Sequence, residues 1–203
     1  MNHCLTSKFL TEKMNNKIAF ICSNLRAGGS QNVVKQVTKK LSSIGYDVTV
    51  ITLSNNQDDF YILDDKVKRI SLDKSTKTKN IFSGIKNNLS RIILLRKIIK
   101  KEKYKTCFSF ITETNIITII SALFIKTKVI ISERNDPYKQ RQQFRWFLLR
   151  SITYPLADVV TANSKNAIKY FDKSLFVKKT VYMPNPLPEP KKILNNNLNK
   201  FLS

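Results

Sequence analysis

Residues 17–53 read KIAFICSNLRAGGSQNVVKQVTKKLSSIGYDVTVITL. The stretch opens on a continuous apolar run of buried-strand length, KIAFICS. Gly28 and Gly29 then lead into NVVKQVTKKLSSIG, where Val33, Val37 and Leu41 recur at helical spacing and Gly45 supplies a stop. YDVTVITL (46–53) has the composition of a second strand. Strand, short glycine turn, helix and strand make a parallel pair, joined by the right-handed crossover that lets the helix pack back onto a twisted sheet.

The same alternation continues downstream. KVKRISL (66–72) reads as a third strand and KSTKTKN (74–80) as a solvated loop. A long helix follows over 81–103, then the strand YKTCFSFI, the apolar helix TNIITIISALFI and the strand KVIISE. YKQRQQFRWFLLRSITYPLA is helical as far as Pro155, DVVTAN is a short strand, SKNAIKYF a helix opened by Ser164, and KTVYMP the last strand. Seven strands interleaved with helices predict an α/β fold: a doubly wound, mostly parallel seven-stranded sheet in the order 3-2-1-4-5-6-7. Residues 1–13 read as a disordered leader, 14–183 as one domain, and 184–203 as a proline-rich connector running into a new apolar segment.

Composition bounds the partners. The chain carries 36 Lys and Arg against 14 Asp and Glu, a formal charge of +22. Such an excess points to an anionic partner, a nucleic acid or an acidic membrane surface, or reflects an AT-rich coding bias towards lysine and asparagine. Nucleic acid is the weaker of the two partners, because the basic residues follow no recognition motif and no aromatic platform accompanies them. Cys4, Cys22 and Cys107 lack metal-ligand spacing and read as reduced thiols, so no metal site is expected. The N-terminal residues lack the apolar core of a signal peptide, and no window approaches the ~20 apolar residues of a spanning helix, which fits a cytoplasmic protein.

Four segments fall at the carboxyl ends of predicted strands, where open α/β sheets place ligands. At Gly28, Gly29, Ser30 and Gln31 the glycines allow a sharp turn and a close backbone approach to an anion at a helix start, or serve turn geometry alone. The turn departs from G-x-G-x-x-G, and VITLSNN ends without a ribose-binding acid, which argues against a dinucleotide cofactor. Thr112, Glu113, Thr114 and Asn115 follow the fourth strand as sugar-binding or helix-capping groups. SERND (132–136) offers Glu133, Arg134 and Asn135 to a ligand, or a Glu133-Arg134-Asp136 ion network that shapes the loop. Asn163 and Ser164 follow the sixth strand, with capping the better reading for Ser164.

Taken in order, AGGSQNVV, ISERNDP, ADVVTANS and VYMPNPLP resemble the N-terminal half of glycosyltransferase family 4, over about residues 17–190. The resemblance implies one half of a GT-B fold, a Rossmann-like acceptor-binding domain facing a second, donor-binding domain across a cleft. It further implies a retaining transferase that uses a nucleotide-sugar donor and a glycan or lipid-linked acceptor, with no cofactor bound by this half. Without the second domain, whose carboxylates hold the donor, the fragment alone is expected to be inactive; the alternative is a natural half-protein that pairs with a separate donor-binding chain. Family members often carry a histidine near the SERND position that contacts the transferred sugar. Here the single histidine is His3, in the leader, so Glu133 or Arg134 stands as the candidate catalytic residue.

The 81–103 helix carries a further expectation. Ile85, Leu89, Ile92, Leu95 and Ile99 form one apolar stripe, read as the core face. Leu94 and Ile98 fall among Arg91, Lys97 and Lys101, a mixture suited to an anionic membrane surface, and Trp146 on the helix before Pro155 suits the same interface.

Overall fold

The computed structural model describes residues 16–57, 59–73, 81–135, 137, 144–174 and 176–186. The leader and most of the connector lie outside these residues, as do Asp136 and the 74–80 loop. In chain order the elements are β1 (Lys17–Cys22), α1 (Gly29–Ser43), β2 (Asp47–Thr52), β3 (Lys68–Ser71), α2 (Ile81–Glu102), β4 (Thr106–Phe110) and α3 (Thr112–Ala122). They continue with β5 (Lys128–Glu133), α4 (Phe144–Thr153), a 3-10 turn at Tyr154–Leu156, β6 (Val159–Ala162), α5 (Lys165–Ser174) and β7 (Thr180–Tyr182).

The seven strands form one sheet in the order β3-β2-β1-β4-β5-β6-β7, and every pair is parallel. This is the doubly wound sheet expected from the alternation. Strand periodicity sorts the core into two layers. Phe20 and Cys22 of β1 join Val33 and Val34 of α1 on one face. Ala19 and Ile21 join Leu95 and Ile99 of α2, Ile116 and Ile119 of α3, and Phe171 of α5 on the other. The reversal of strand order between β1 and β4 places α1 on one side of the sheet and the later helices on the other.

The long helix corrects the expected stripe. Leu95 and Ile99 are fully buried and Ile92 packs on the core, but so do Leu94 and Ile98. Ile85 and Leu89, expected inside, are 62% and 55% exposed, and Ile93 is 46% exposed. At 100° per residue the inward positions span an arc of about 160°, because α2 packs against both the sheet and α3. A single stripe assumes one contact direction, and here there are two. The helix read over 138–155 is described from Phe144, and Trp146 on it is partly buried against the core rather than turned outward.

Candidate functional site

Because the strands are parallel, the ends of β1, β4, β5 and β6 lie along one edge of the sheet, and every candidate segment is brought there. At β1 the backbone leaves through Asn24, whose Oδ1 accepts from the Arg26 amide at 3.1 Å and from Gln31 Nε2 at 3.3 Å. Ser30 Oγ donates to Gln31 Oε1 at 2.8 Å. Gly28 is extended, with φ 175, so its residue type is not set by a left-handed backbone. A Cβ there would stand 2.5 Å from Gln31 Oε1, the far end of a side chain that can swing aside, whereas one on Gly29 would meet nothing within 4 Å. The start of α1 has no side-chain cap and no acidic residue in its first turn, leaving the positive end of the helix unneutralised.

At β4 the expected loop is a single residue. Ile111 turns the chain at φ 72, and Thr112 already opens α3. A β-branched residue in the left-handed region is strained. It is held by Ile111 N donating to the Ser132 carbonyl at 3.1 Å and by Asn115 N donating to the Ile111 carbonyl at 2.9 Å. Glu113, at the exposed side of this first turn, accepts from Arg91 Nη1 at 3.1 Å, which also bonds Asn88. Arg91 is thus partnered within the fold.

Glu133 ends β5 and shares the parity of Ile131, which turns its side chain inward beneath α3. It is 1% exposed. Its Oε1 accepts from Thr112 Oγ1 at 2.9 Å, from Asn115 Nδ2 at 3.4 Å and from the Tyr154 hydroxyl. Asn115 also donates to the Ser132 carbonyl at 3.2 Å and accepts from Ser109 Oγ at 2.8 Å. Burial pushes the Glu133 carboxyl up from its ordinary value, and the bonds from Tyr154 and Thr112, the nearby Arg150 charge and the Asn115 amide oppose the shift. Tyr154 is pushed well up by burial and by Glu133. Arg150, itself buried, donates to Tyr170 at 2.9 Å and lies over the rings of Phe147, Tyr170 and Phe171.

This geometry changes what the candidates can do. Glu133 and Asn115 are interior groups that position the starts of α3 and the 3-10 turn, and neither faces the sheet edge in this conformation. The expected Glu133-Arg134 partnership is replaced by one with Tyr154, Thr112 and Asn115, since neighbouring strand residues point to opposite faces. Asp136 lies outside the described residues. Tyr154 and Arg150 were missed in sequence. The only signal was a tyrosine directly before Pro155, where a helix must end.

Arg134 has the opposite parity and turns towards the α1 face, its guanidinium carbon 5.6 Å from the Phe110 ring centroid. Nη1 donates to the Met183 carbonyl at 3.3 Å and to Asn185 Oδ1 at 2.8 Å. Its own carbonyl accepts from Asn163 Nδ2 at 3.4 Å. One arginine therefore ties the ends of β4, β5, β6 and β7. Asn135 is exposed at this edge. Ser164 Oγ accepts from the Ala167 amide at 3.1 Å, the capping role expected of it.

Among the described residues no group of three His, Cys, Asp or Glu side chains could hold a metal ion. Cys22 and Cys107 are buried thiols pushed up to about 12 by that burial, which keeps them protonated and unreactive. No described helix is long and apolar enough to cross a membrane.

Comparison with known proteins matches this geometry to a family. The model of Glycosyltransferase Family 4 matches residues 27–188. A Campylobacter jejuni protein described as a GalNAc-alpha-(1->4)-GalNAc-alpha-(1->3)-diNAcBac-PP-undecaprenol alpha-1,4-N-acetyl-D-galactosaminyltransferase is 28% identical over 170 residues, which cover 84% of this chain and 46% of that protein. Sucrose-phosphate synthase from Thermosynechococcus elongatus superposes with a TM-score of 0.68 at 13% identity, over 83% of this chain and 48% of that one. The lipopolysaccharide outer core galactosyltransferase WaaB in its apo form gives 0.62 at 12% identity, over 87% and 50%. These two likenesses concern the fold. The chain spans about half the length of each of these relatives. A family model matched over most of the chain, on the same doubly wound sheet that the sequence predicts, shows that this chain belongs to glycosyltransferase family 4.

Proposed function

We propose that this chain is the acceptor-binding half of a retaining glycosyltransferase, which moves a sugar from a nucleotide-sugar donor to a glycan or lipid-linked acceptor in polysaccharide or cell-envelope glycan assembly. The observation that carries the reading is the family match over residues 27–188, a span that includes Gly28 to Gln31 and the ends of β4, β5 and β6. The printed name of the Campylobacter jejuni relative describes transfer to a lipid-linked glycan, which supports an acceptor of that class. In this reading the edge formed by Gly29, Ser30, Gln31, Arg134, Asn135 and Asn163 is one wall of a cleft, and a donor-binding domain supplies the other. Half a cleft cannot hold donor and acceptor in line, so the chain alone is inactive. The test joins this chain, covalently or as a mixture, to a donor-binding half. Nucleoside diphosphate should be released from a sugar donor only when a lipid-linked acceptor is present. No release across a broad panel of donors and acceptors would refute the reading.

A membrane surface fits the same reading, on a corrected set of residues. The outer face of α2 carries Ile85, Leu89 and Ile93 as an apolar line, with Lys86, Lys97, Lys100 and Lys101 exposed around it. Phe147, Leu148 and Ile152 of α4 are also exposed. An apolar line among lysines is the pattern of a helix lying in an anionic interface, where each basic residue contributes about 1 kcal/mol. Leu94, Ile98 and Trp146 pack inward and Arg91 is paired, so of the expected contact residues Lys97 and Lys101 remain on this face. The protein would then act at the cytoplasmic surface of the membrane.

A further inference from the structure

Arg134 is held at four points yet is only half used. Nη1 makes both of its hydrogen bonds, while among the described residues Nε and Nη2 have no partner, and both are shielded from solvent. These two nitrogens form one edge of the guanidinium, and their N–H bonds run parallel, the geometry that matches two oxygens of a single phosphate or carboxylate. Among the described residues no carboxylate pairs with Arg134, and Glu133 beside it is committed to the opposite face. Burial alone pushes the guanidinium down from its ordinary value. A shielded cation with an unmet donor edge is costly, and an anion at that edge removes the cost.

Three further features favour a ligand there. The side chain lies at the carboxyl edge of a parallel sheet, where such folds bind ligands. It points to the same face as α1, whose uncapped N-terminus follows the end of β1, separated from β5 in the sheet by β4 alone. Its orientation is fixed from three sides, by Phe110, by the Met183 carbonyl and by Asn185, so little side-chain freedom remains to be lost on binding.

We propose that Arg134 is an oxyanion receptor, whose Nε–Nη2 edge takes two oxygens of a phosphate belonging to a diphosphate group. The diphosphate comes from one of two sources, a lipid diphosphate on the acceptor or the nucleoside diphosphate of the donor. That the anion is a diphosphate, and which of these sources supplies it, rests on the transferase reading; the oxyanion site itself does not. Because the edge is shielded, an anion enters with a shift of neighbouring side chains, and the measured affinity includes that cost.

The test titrates inorganic pyrophosphate into the 203-residue chain by calorimetry. Saturable binding is expected, weakened at least tenfold by Arg134→Gln and also by Arg134→Lys, which keeps the charge but loses the fork. Lys128→Gln, at the opposite end of the same strand, should change affinity less than twofold. Pyrophosphate that binds Arg134→Gln as it binds the wild type, a Lys128→Gln loss equal to that at Arg134, or full retention by Arg134→Lys would each overturn the proposal. A readout without any variant is the Arg134 Nε–H resonance of the wild type, which should move on titration; an unmoved resonance overturns the site. Titrations with decyl diphosphate and with uridine diphosphate then name the source, since tighter binding of either supports the site and assigns it to acceptor or donor. Intact pyrophosphate binding without any sugar transfer would remove the transferase reading and leave the site standing. The reverse pattern would remove the site alone.

Discussion

At the scale of single residues, the buried carboxylate carries the sharpest consequence. Burial raises the Glu133 pKa in the fold, so the protonated form is favoured there relative to the unfolded chain. Its contribution to stability is present below the unfolded value, about 4.3 for a glutamate, and is lost as pH rises through the raised folded value. Glu133→Gln keeps an acceptor for Thr112, Asn115 and Tyr154 without the charge. Urea denaturation from pH 4 upward should therefore show a flatter stability profile for this variant than for the wild type. Glu133→Ala should cost about 3 kcal/mol or more, because it removes the buried acceptor that Thr112, Asn115 and Tyr154 share and leaves Arg150 without its nearby counter-charge. The glycines separate in the same way. Gly28→Ala forces Gln31 to swing away and breaks its bonds to Ser30 and Asn24, at a cost of about 1 kcal/mol. Gly29→Ala enters open space at a helix start and should be neutral or slightly stabilising. Thermal melts of the pair distinguish the two positions. The glycine pair was legible in sequence, but which glycine mattered, and why, was not.

At the scale of the element, α2 shows what periodicity can and cannot reach. Its existence and length followed from helical spacing over residues 81–103, and the observed Ile81–Glu102 agrees. Its orientation did not follow, because a stripe gives one contact direction and α2 packs on both the sheet and α3. The corrected faces make opposite predictions. Leu95→Ala should cost about 2–5 kcal/mol by opening a cavity in the core. Ile93→Glu, on the exposed face, should stay within about 0.5 kcal/mol of the wild type in chemical denaturation. Ile93→Glu should instead reduce sedimentation with acidic liposomes, and undiminished sedimentation would remove this face from the membrane proposal. The β4–α3 connection was likewise out of reach. No propensity places isoleucine at φ 72, and only the bonds to Ser132 and Asn115 explain why it stays there.

At the scale of the whole molecule, the +22 charge and the lysine-framed apolar face predict membrane binding that weakens with salt, because screening shortens the reach of surface charge. Sedimentation with vesicles containing anionic lipid should fall steeply between low and physiological ionic strength, and neutral vesicles should recover little protein. Ile93→Glu also adds a negative charge, so the neutral Ile93→Gln separates the two contributions: a charge-only association would ignore it, and an apolar contact would not. The strand order, the all-parallel sheet and the family were determined by the sequence itself, since the alternation of apolar runs with helical spacing admits few topologies once crossovers are right-handed. The sequence also placed Gly28–Gln31, Glu133–Asn135 and Asn163 at one edge, because strand ends of a parallel sheet coincide. Only the tertiary structure decided which of those side chains meet that edge. Glu133 and Arg134 are adjacent in the chain, yet strand parity sends one beneath α3 and the other towards α1. The partners that give each its role, Tyr154 for the carboxylate and Met183 and Asn185 for the guanidinium, stand 21, 49 and 51 residues away.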